Sequence, residues 1–373
     1  MSSRATAIKK WGLILSGALL CACFLLPSFH PLVLADSGII PVASVSVYEP
    51  GQKAIIGWNG EYEVLILSTD VSADDYTIAL QILPLPSEPE SIEQGTFDSF
   101  RRIANLIYDR YSYRNSWFEC RTFEGAGGVG VDIVFHEKIG AHDIWVAKAT
   151  DAAEFVHWAE DFLARNQIQY QISSPELESV VTEYIAEGIE FFVFDLIEIS
   201  PEIESIEPIV YRFKSDALYY PLKISSIVSG WTGITLFLLT PWLLTDFSQL
   251  PKGEFKGEEY GLTICKANDR PIQFGLARGE LESIDHRLSE LLPGNAWLSA
   301  IVSYYRYGPS YGIEAEALPV ASLDKDMKIA EGCFTEKAYT KSGFPLWAWV
   351  LIGISGAILA YIVVGLLYVF YRA

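Results

Sequence analysis

The sequence predicts an α+β domain, a mixed and largely antiparallel sheet with several packed helices, plus a C-terminal transmembrane helix. Three observations carry this reading. Short runs rich in β-branched and aromatic residues alternate with period two, as in Val129, Val131, Ile133 and Phe135. Four other segments place their apolar residues at helical spacing. Finally, 344–371 is an uncharged run of about 28 residues, more than a tilted helix needs to cross roughly 30 Å of hydrocarbon.

Taken in chain order, Arg4, Lys9 and Lys10 precede an apolar run from Trp11 to Phe29, and Val33-Leu34-Ala35 offers a cleavage site before Asp36. Residues 1–35 therefore read as a signal peptide, with an uncleaved anchor as the alternative because the run is long enough to span. Ala43 to Tyr48 and Gln52 to Trp58 read as strands parted by Pro50-Gly51. Asn59-Gly60 then turns the chain into a strand from Glu61 to Thr69, and Tyr76 to Leu85 is a further strand. Thr96 is placed to cap a helix carrying Phe97, Phe100, Ile103, Ala104 and Ile107 on one face.

The stretch from Phe135 to Phe155 holds His136 and His142 and reads as strand, turn, strand, helix. Ile139-Gly140 makes the turn, and Thr150 or Asp151 caps a helix whose inner stripe is Phe155, Trp158, Ala159 and Phe162. A zinc-protease helix needs histidines four apart on one face, and these two are six apart across a turn. Ser174-Pro175 opens another helix, Gly188 stops it, and Ile189 to Ile199 is a long strand. Pro208 to Phe213 and Leu218 to Ile224 read as a hairpin. Leu222 to Val228 and Ile234 to Thr240 read as buried strands about the Gly230 to Gly233 turn. One more helix lies around Ile284, Leu288, Leu291 and Leu292. The predicted organisation is an extracytoplasmic domain over 36–322 with a subdomain boundary near 246–257, a tether over 323–343, a transmembrane helix over 344–371 and a cytoplasmic stub at 372–373, where Arg372 marks the inner side.

Composition narrows the partners. The chain carries 27 Lys+Arg against 47 Asp+Glu. Setting aside Arg4, Lys9, Lys10 and Arg372 at the membrane segments leaves 23 against 47, a net charge of −24. That excludes nucleic acid as a partner. Cys120, Cys265 and Cys333 lie beyond the signal, an odd set that allows at most one internal disulfide. No spacing announces a metal or a cofactor, so none is expected.

Against the acidic background, Arg101 to Cys120 mixes arginine with aromatic residues. Arg110, Tyr111, Tyr113, Arg114 and Trp117 are the candidate ligand-binding residues, because stacking surface and forked donors suit a glycan or a protein partner. The plainer reading is a helix end and a loop whose aromatics pack on the sheet, and Trp297, Tyr304, Tyr305 and Tyr307 invite the same one. Gly308-Pro309-Ser310-Tyr311-Gly312 has the glycine spacing of a nucleophile elbow, but no histidine follows Ser310 and no helix is predicted after it.

SVSVYEPGQKAIIGWNGEYEVLILSTDV, the ILPLPSEPE run, HEKIGAHDIWVAKATDAAEFVHW, and VYRFKSDALYYPLKI followed by LFLLTP resemble a prokaryotic family of secreted proteins known as domain of unknown function 2330. The resemblance covers much of Asp36 to Pro241. It implies that Ile227 to Leu244 belongs inside the domain, and it brings no activity, cofactor or catalytic residue with it. The sequence thus points to a single-pass plasma-membrane protein, C-terminus cytoplasmic, whose outer domain binds an envelope component or a protein partner. The alternatives are an extracytoplasmic hydrolase of envelope polymers using Ser310, His136 or His142, and a structural surface protein.

Overall fold

A computed structural model describes residues 38–43, 45–111, 136–139, 142–227, 230–267, 269–305 and 315–338. The expected signal peptide and transmembrane segment lie outside them, and among the described residues no helix is long and apolar enough to cross a membrane.

The chain opens with β1 (Ile39–Pro41), β2 (Val47–Trp58), β3 (Tyr62–Ala73), β4 (Thr77–Leu85) and β5 (Ser91–Gln94). Pro50-Gly51 does not end a strand: β2 runs through it on a register shift between Tyr48 and Gly51, a bulge that keeps one ladder with β3. At the hairpin tip the Asn59 N–H donates to the Tyr62 carbonyl, 3.2 Å, and Asn59 Oδ1 accepts from the N–H groups of Glu61 and Tyr62. The two-residue loop is therefore Gly60-Glu61, with Gly60 at φ +98°, a conformation glycine adopts without strain.

Helix α1 (Phe97–Tyr111) follows, then β6 (His136–Ile139), β7 (His142–Lys148), α2 (Ala152–Arg165), α3 (Pro175–Ala186) and β8 (Phe191–Ile199). Two of the predicted caps are in place. Asp151 Oδ1 accepts from the backbone N–H groups of Ala153 and Glu154, and Ser174 Oγ from that of Leu177. Beyond them come β9 (Glu204–Ser205), β10 (Ile209–Lys214), β11 (Leu218–Tyr220), β12 (Trp231–Thr240), β13 (Trp242–Leu244), β14 (Lys252–Phe255) and β15 (Glu258–Ile264). After β16 (Lys266–Ala267), β17 (Arg270–Pro271) and β18 (Gln273–Leu276) stand α4 (Arg278–Ile284) and α5 (His286–Leu291), two helices where one was expected. Asp285 separates them, its Oδ1 accepting the Arg287 N–H to cap the second. The described chain closes with β19 (Ala296–Tyr305), β20 (Leu318–Pro319), β21 (Met327–Ile329) and β22 (Phe334–Ala338).

Two sheets face each other between layers of helices. The smaller has the order β1-β4-β8-β7-β6, and the larger runs β14-β15-β19-β12-β2-β3-β10-β5. Among the described pairings only β12 with β2 is parallel. Helices α2 and α3 cover the smaller sheet, where Phe155 meets Phe192 and Trp158 meets Phe194, each at 4.7 Å between ring centroids. Each fully buried aromatic of this kind contributes about 1.5–3 kcal/mol. Helices α1, α4 and α5 cover the far face of the larger sheet through Ile103, Ile107, Leu281 and Leu288 against Ile55, Val64 and Ile66. Period-two alternation decides this: in β3, Val64 and Ile66 face those helices, while Leu65 and Leu67 face the opposite core.

Three local expectations fail, each for a long-range reason. Lys223–Ile227 is a short 3-10 helix instead of a strand. Its first N–H groups are taken by side chains: Leu222 and Lys223 donate to Asp326 Oδ1, both at 2.9 Å, and Ile224 donates to the Tyr184 hydroxyl at 3.0 Å. The predicted hairpin of β10 with β11 does not form, since β10 lies between β3 and β5 and β11 pairs with β21 from far along the chain. The expected tether is bound into the domain as far as Ala338. Leu323, Met327, Ile329, Cys333 and Phe334 are buried, and β22 pairs with β13. Near 246–257, β14 joins the larger sheet through β15.

Candidate functional site

The seam between the sheets holds the most unusual chemistry. On β7, His142 pairs in register with Ile197 of β8, so Asp195, two residues away, shares its face and lies within side-chain reach. His142 Nδ1 contacts Asp195 Oδ2, and both side chains are almost fully buried. Asp195 Oδ1 also accepts the Asp143 N–H at 3.0 Å. On its other side, His142 Nε2 lies 2.9 Å from the Glu207 carbonyl, in the segment between β9 and β10.

A carbonyl only accepts, so Nε2 carries a hydrogen and donates it. Nδ1 and Oδ2 then share one further proton, because two facing lone pairs would repel. Burial by itself would lower the histidine's affinity for that proton. The charge and hydrogen bond of Asp195 and the carbonyl of Glu207 outweigh it and raise the His142 pKa above the ordinary 6.5. The pair holds the sheets together: the Glu207 segment is fixed to β3 as well, through the Ile206 N–H on the Thr69 carbonyl at 2.8 Å and Ser68 Oγ donating to the Ile206 carbonyl at 2.9 Å.

Beside the pair is a small cavity of about 10 Å³ lined by Ser68, Thr69, Gln81, His142, Glu207 and Tyr211, among others. Gln81 is 6% exposed and its Nε2 has no partner. Tyr211 is buried there, and burial followed by the charge of Asp195 holds its hydroxyl well above the usual tyrosine range. His142 is not arranged as a general base. Ser68, the pocket's serine, donates to a backbone carbonyl, and the imidazole nitrogen that would receive a nucleophile's proton is spent on Glu207.

A second polar centre sits where the C-terminal arm meets the body. Asp326 Oδ1 accepts from the Tyr184 hydroxyl at 2.8 Å as well as from Leu222 and Lys223, and Oδ2 accepts from the Tyr219 hydroxyl at 3.1 Å. Buried Lys223 reaches Glu187 at 2.7 Å and lies 4.4 Å above the Tyr184 ring. Next to it, fully buried Glu63 accepts the Tyr219 N–H through Oε2, its Oε1 has no partner, and burial raises its pKa well above 4.5.

Of the residues singled out in the sequence, Arg110 is tied to Glu280 at 2.6 Å with its guanidinium 4.2 Å from the Phe274 ring. The Tyr111 hydroxyl joins the Pro271 carbonyl and the Gln273 N–H. Both serve the packing of α1 on β18 and α4. Tyr113, Arg114 and Trp117 lie outside the described residues, as do Ser310, Tyr307, Cys120 and the side chain of His136. Tyr304 is buried with its hydroxyl on Glu259, whereas Tyr305 packs edge-on against Trp231, which is 44% exposed. Cys265 and Cys333 are free, buried thiols. Among the described residues no group of three or more His, Cys, Asp or Glu is placed to hold a metal ion. The seam escaped the sequence reading because Asp195 stands inside an apolar strand and Gln81 inside another. A buried carboxylate in FFVFDLIEI was the one available signal.

The fold and site define a two-sheet α+β domain with a sealed ionisable pair in its seam and no assembled catalytic set among the described residues. Residues 34–249 match the model of the family described as "Uncharacterized protein conserved in bacteria (DUF2330)", and the chain belongs to that family. No curated protein matches it. Among solved structures it is similar to baculovirus P35, at 7% identity and a TM-score of 0.36 over 78% of this chain and 98% of that one. The P35 chain in a caspase-8/P35 complex matches at 6% identity and a TM-score of 0.33, over 75% and 96% of the two chains. TM-scores this low carry no argument about function.

Proposed function

We propose that this protein is a membrane-anchored recognition module, its domain outside the plasma membrane and its C-terminus inside, that binds an envelope component or a protein partner. The observation that carries the reading is Trp231. It stands on the surface at 44% exposure, held edge-to-face by Tyr305 at 5.0 Å between centroids, while most other large aromatics among the described residues fill cores. A fixed, half-exposed tryptophan is the residue most enriched at binding hot spots, and its face suits a sugar ring or an apolar side chain. The uncharged run at 344–371 and the leader at 1–35 support the anchoring and the side of the membrane.

Of the hydrolase alternative's candidates, His142 has both ring nitrogens engaged. The test is capture by full-length protein on a glycan array and in pull-downs at physiological salt. Trp231→Ala is expected to weaken a specific hit by about tenfold or more with the thermal midpoint unchanged. Arg114→Ala and Trp117→Ala test the sequence candidates in the same assay. Binding unaffected by all three substitutions would overturn the reading of these aromatics as the recognition face.

A further inference from the structure

Exposed apolar side chains gather at one end of the sheets. The turn from β3 to β4 and the turn from β8 to β9 lie side by side there: the Ala73 N–H donates to the Ser200 carbonyl at 3.0 Å, and Thr77 pairs with Ile199. Tyr76 and Ile203, one on each turn, are 75% and 69% exposed, and Ile78 is 37% exposed at the start of β4. Trp231 belongs to the same end, two residues before Gly233, which pairs with Gly51 opposite Asp70 near the close of β3. Four of the six large apolar side chains exposed among the described residues therefore share it. Scattered singly, such residues need no account, but a group of them with a polar rim marks an interaction surface.

The rim is acidic. Asp74 accepts from the Tyr48 hydroxyl and Glu204 from the Ser200 hydroxyl, each at 2.9 Å, and Asp75 accepts the Tyr76 N–H at 2.8 Å. These donors are neutral, so they orient the carboxylates and leave their charge in place. Glu202 adds a fourth, and neither 73–78 nor 198–205 contains a lysine or arginine. An anionic glycan or lipid surface would be repelled here, in a chain of net charge −20. Two isoleucines give no flat face on which a sugar ring would stack. The complementary ligand is a polypeptide segment carrying lysine or arginine between apolar side chains.

This end also lies away from the last described residue. Ala338 pairs with Trp242, and Trp242 stands at the opposite tip of β3, its indole 3.2 Å from where a Cβ on Gly60 would be. At about 3.4 Å per residue, the 12 residues of β3 hold the two ends roughly 37 Å apart. We infer that the end formed by Tyr76, Ile78 and Ile203, remote from Ala338, docks a basic segment of a partner protein that carries apolar side chains between its cations. This rests on the recognition reading above and names the chemistry of the partner.

The experiment uses full-length protein in phosphatidylcholine nanodiscs and a fluorescein-labelled peptide, Lys-Leu-Arg-Phe-Lys-Leu, followed by anisotropy with empty nanodiscs as the blank. The expected result is saturable binding that falls several-fold between about 50 and about 300 mM salt and is absent for the peptide with glutamate at each basic position. Tyr76→Ser with Ile203→Ser is expected to weaken it about tenfold at an unchanged thermal midpoint. Asp75→Asn with Glu202→Gln should weaken it and flatten its salt dependence. Should the serine pair fail to fold, the amide pair decides the matter without it, because it removes charge and keeps the Asp75 hydrogen bond. No saturable binding, or binding shared by the glutamate peptide or unmoved by these substitutions, would overturn the inference. Partner capture lost in Trp231→Ala without peptide binding would overturn it and leave the recognition reading standing. Peptide binding lost in the Tyr76 and Ile203 variant, with capture unmoved by Trp231→Ala, Arg114→Ala and Trp117→Ala, would do the reverse.

Discussion

Asp195 and Asp326 are both carboxylates withdrawn from solvent, and they are answered in different ways. Asp195 faces a titratable partner, His142, and a single backbone N–H. Asp326 faces two tyrosine hydroxyls and two backbone N–H groups, none of which ionises near neutrality. The first arrangement ties β7 and β8 of the smaller sheet to the segment between β9 and β10 of the larger one, all within 142–214. The second fastens the C-terminal arm to β11 and the 3-10 turn, across about a hundred residues. Fixed donors make a latch whose strength does not depend on a shared proton. A shared proton makes one whose strength does.

The largest expected effect breaks the second centre. Asp326→Ala leaves four donors without their acceptor and is expected to cost about 3–5 kcal/mol, read as a lowered denaturation midpoint and as proteolysis within Leu323 to Ala338. Asp195→Ala should cost about 3 kcal/mol by stranding His142, with hydrogen exchange rising at Glu207 and Asp143 while the arm stays protected. An equal response of both regions to either substitution would show that the two centres form one cooperative unit.

The pH dependence sharpens the contrast. His142 has a raised folded pKa, so its contribution is fully present below the unfolded value near 6.5 and is lost as pH rises through the folded pKa. Stability measured on the alkaline side should therefore fall, and His142→Asn should flatten that fall while weakening the protein overall. Glu63 acts in the same direction: its burial-raised pKa favours folding at low pH and is a liability once the acid ionises. Glu63→Gln, neutral at every pH, is expected to leave stability within about 1 kcal/mol at mild acidity and to raise it at alkaline pH. Lys328→Ala, which removes an exposed partner of Glu187, should cost less than about 1 kcal/mol.

The boundary of the family match falls across this comparison. It ends at residue 249, yet β19, between β12 and β15 in the larger sheet, lies beyond it, as does Asp326. Without the later strands, the β12 ladder from Thr235 to Thr240 would lose its antiparallel partner. The strand pairing of the described domain extends to Ala338.

What the sequence determined by itself was whatever local periodicity and local hydrogen bonding decide. The inner stripe of α2, the caps at Asp151 and Ser174, the β2–β3 hairpin and the apolar run of β8 are set within a dozen residues, so their patterns can be read directly. Only the tertiary structure decided which strands pair across long intervals, and with them the seam. Leu222 to Val228 has the composition of a strand. Lys223–Ile227 within it is a 3-10 turn, where Asp326, about a hundred residues on, takes the N–H groups of Leu222 and Lys223. Arg110 and Tyr111 look like a binding surface until β18 and α4 arrive to occupy them. His142 acquires its role from Asp195 and Glu207, which come from another strand and a loop. Their chemistry is a property of distances that no short window of sequence contains.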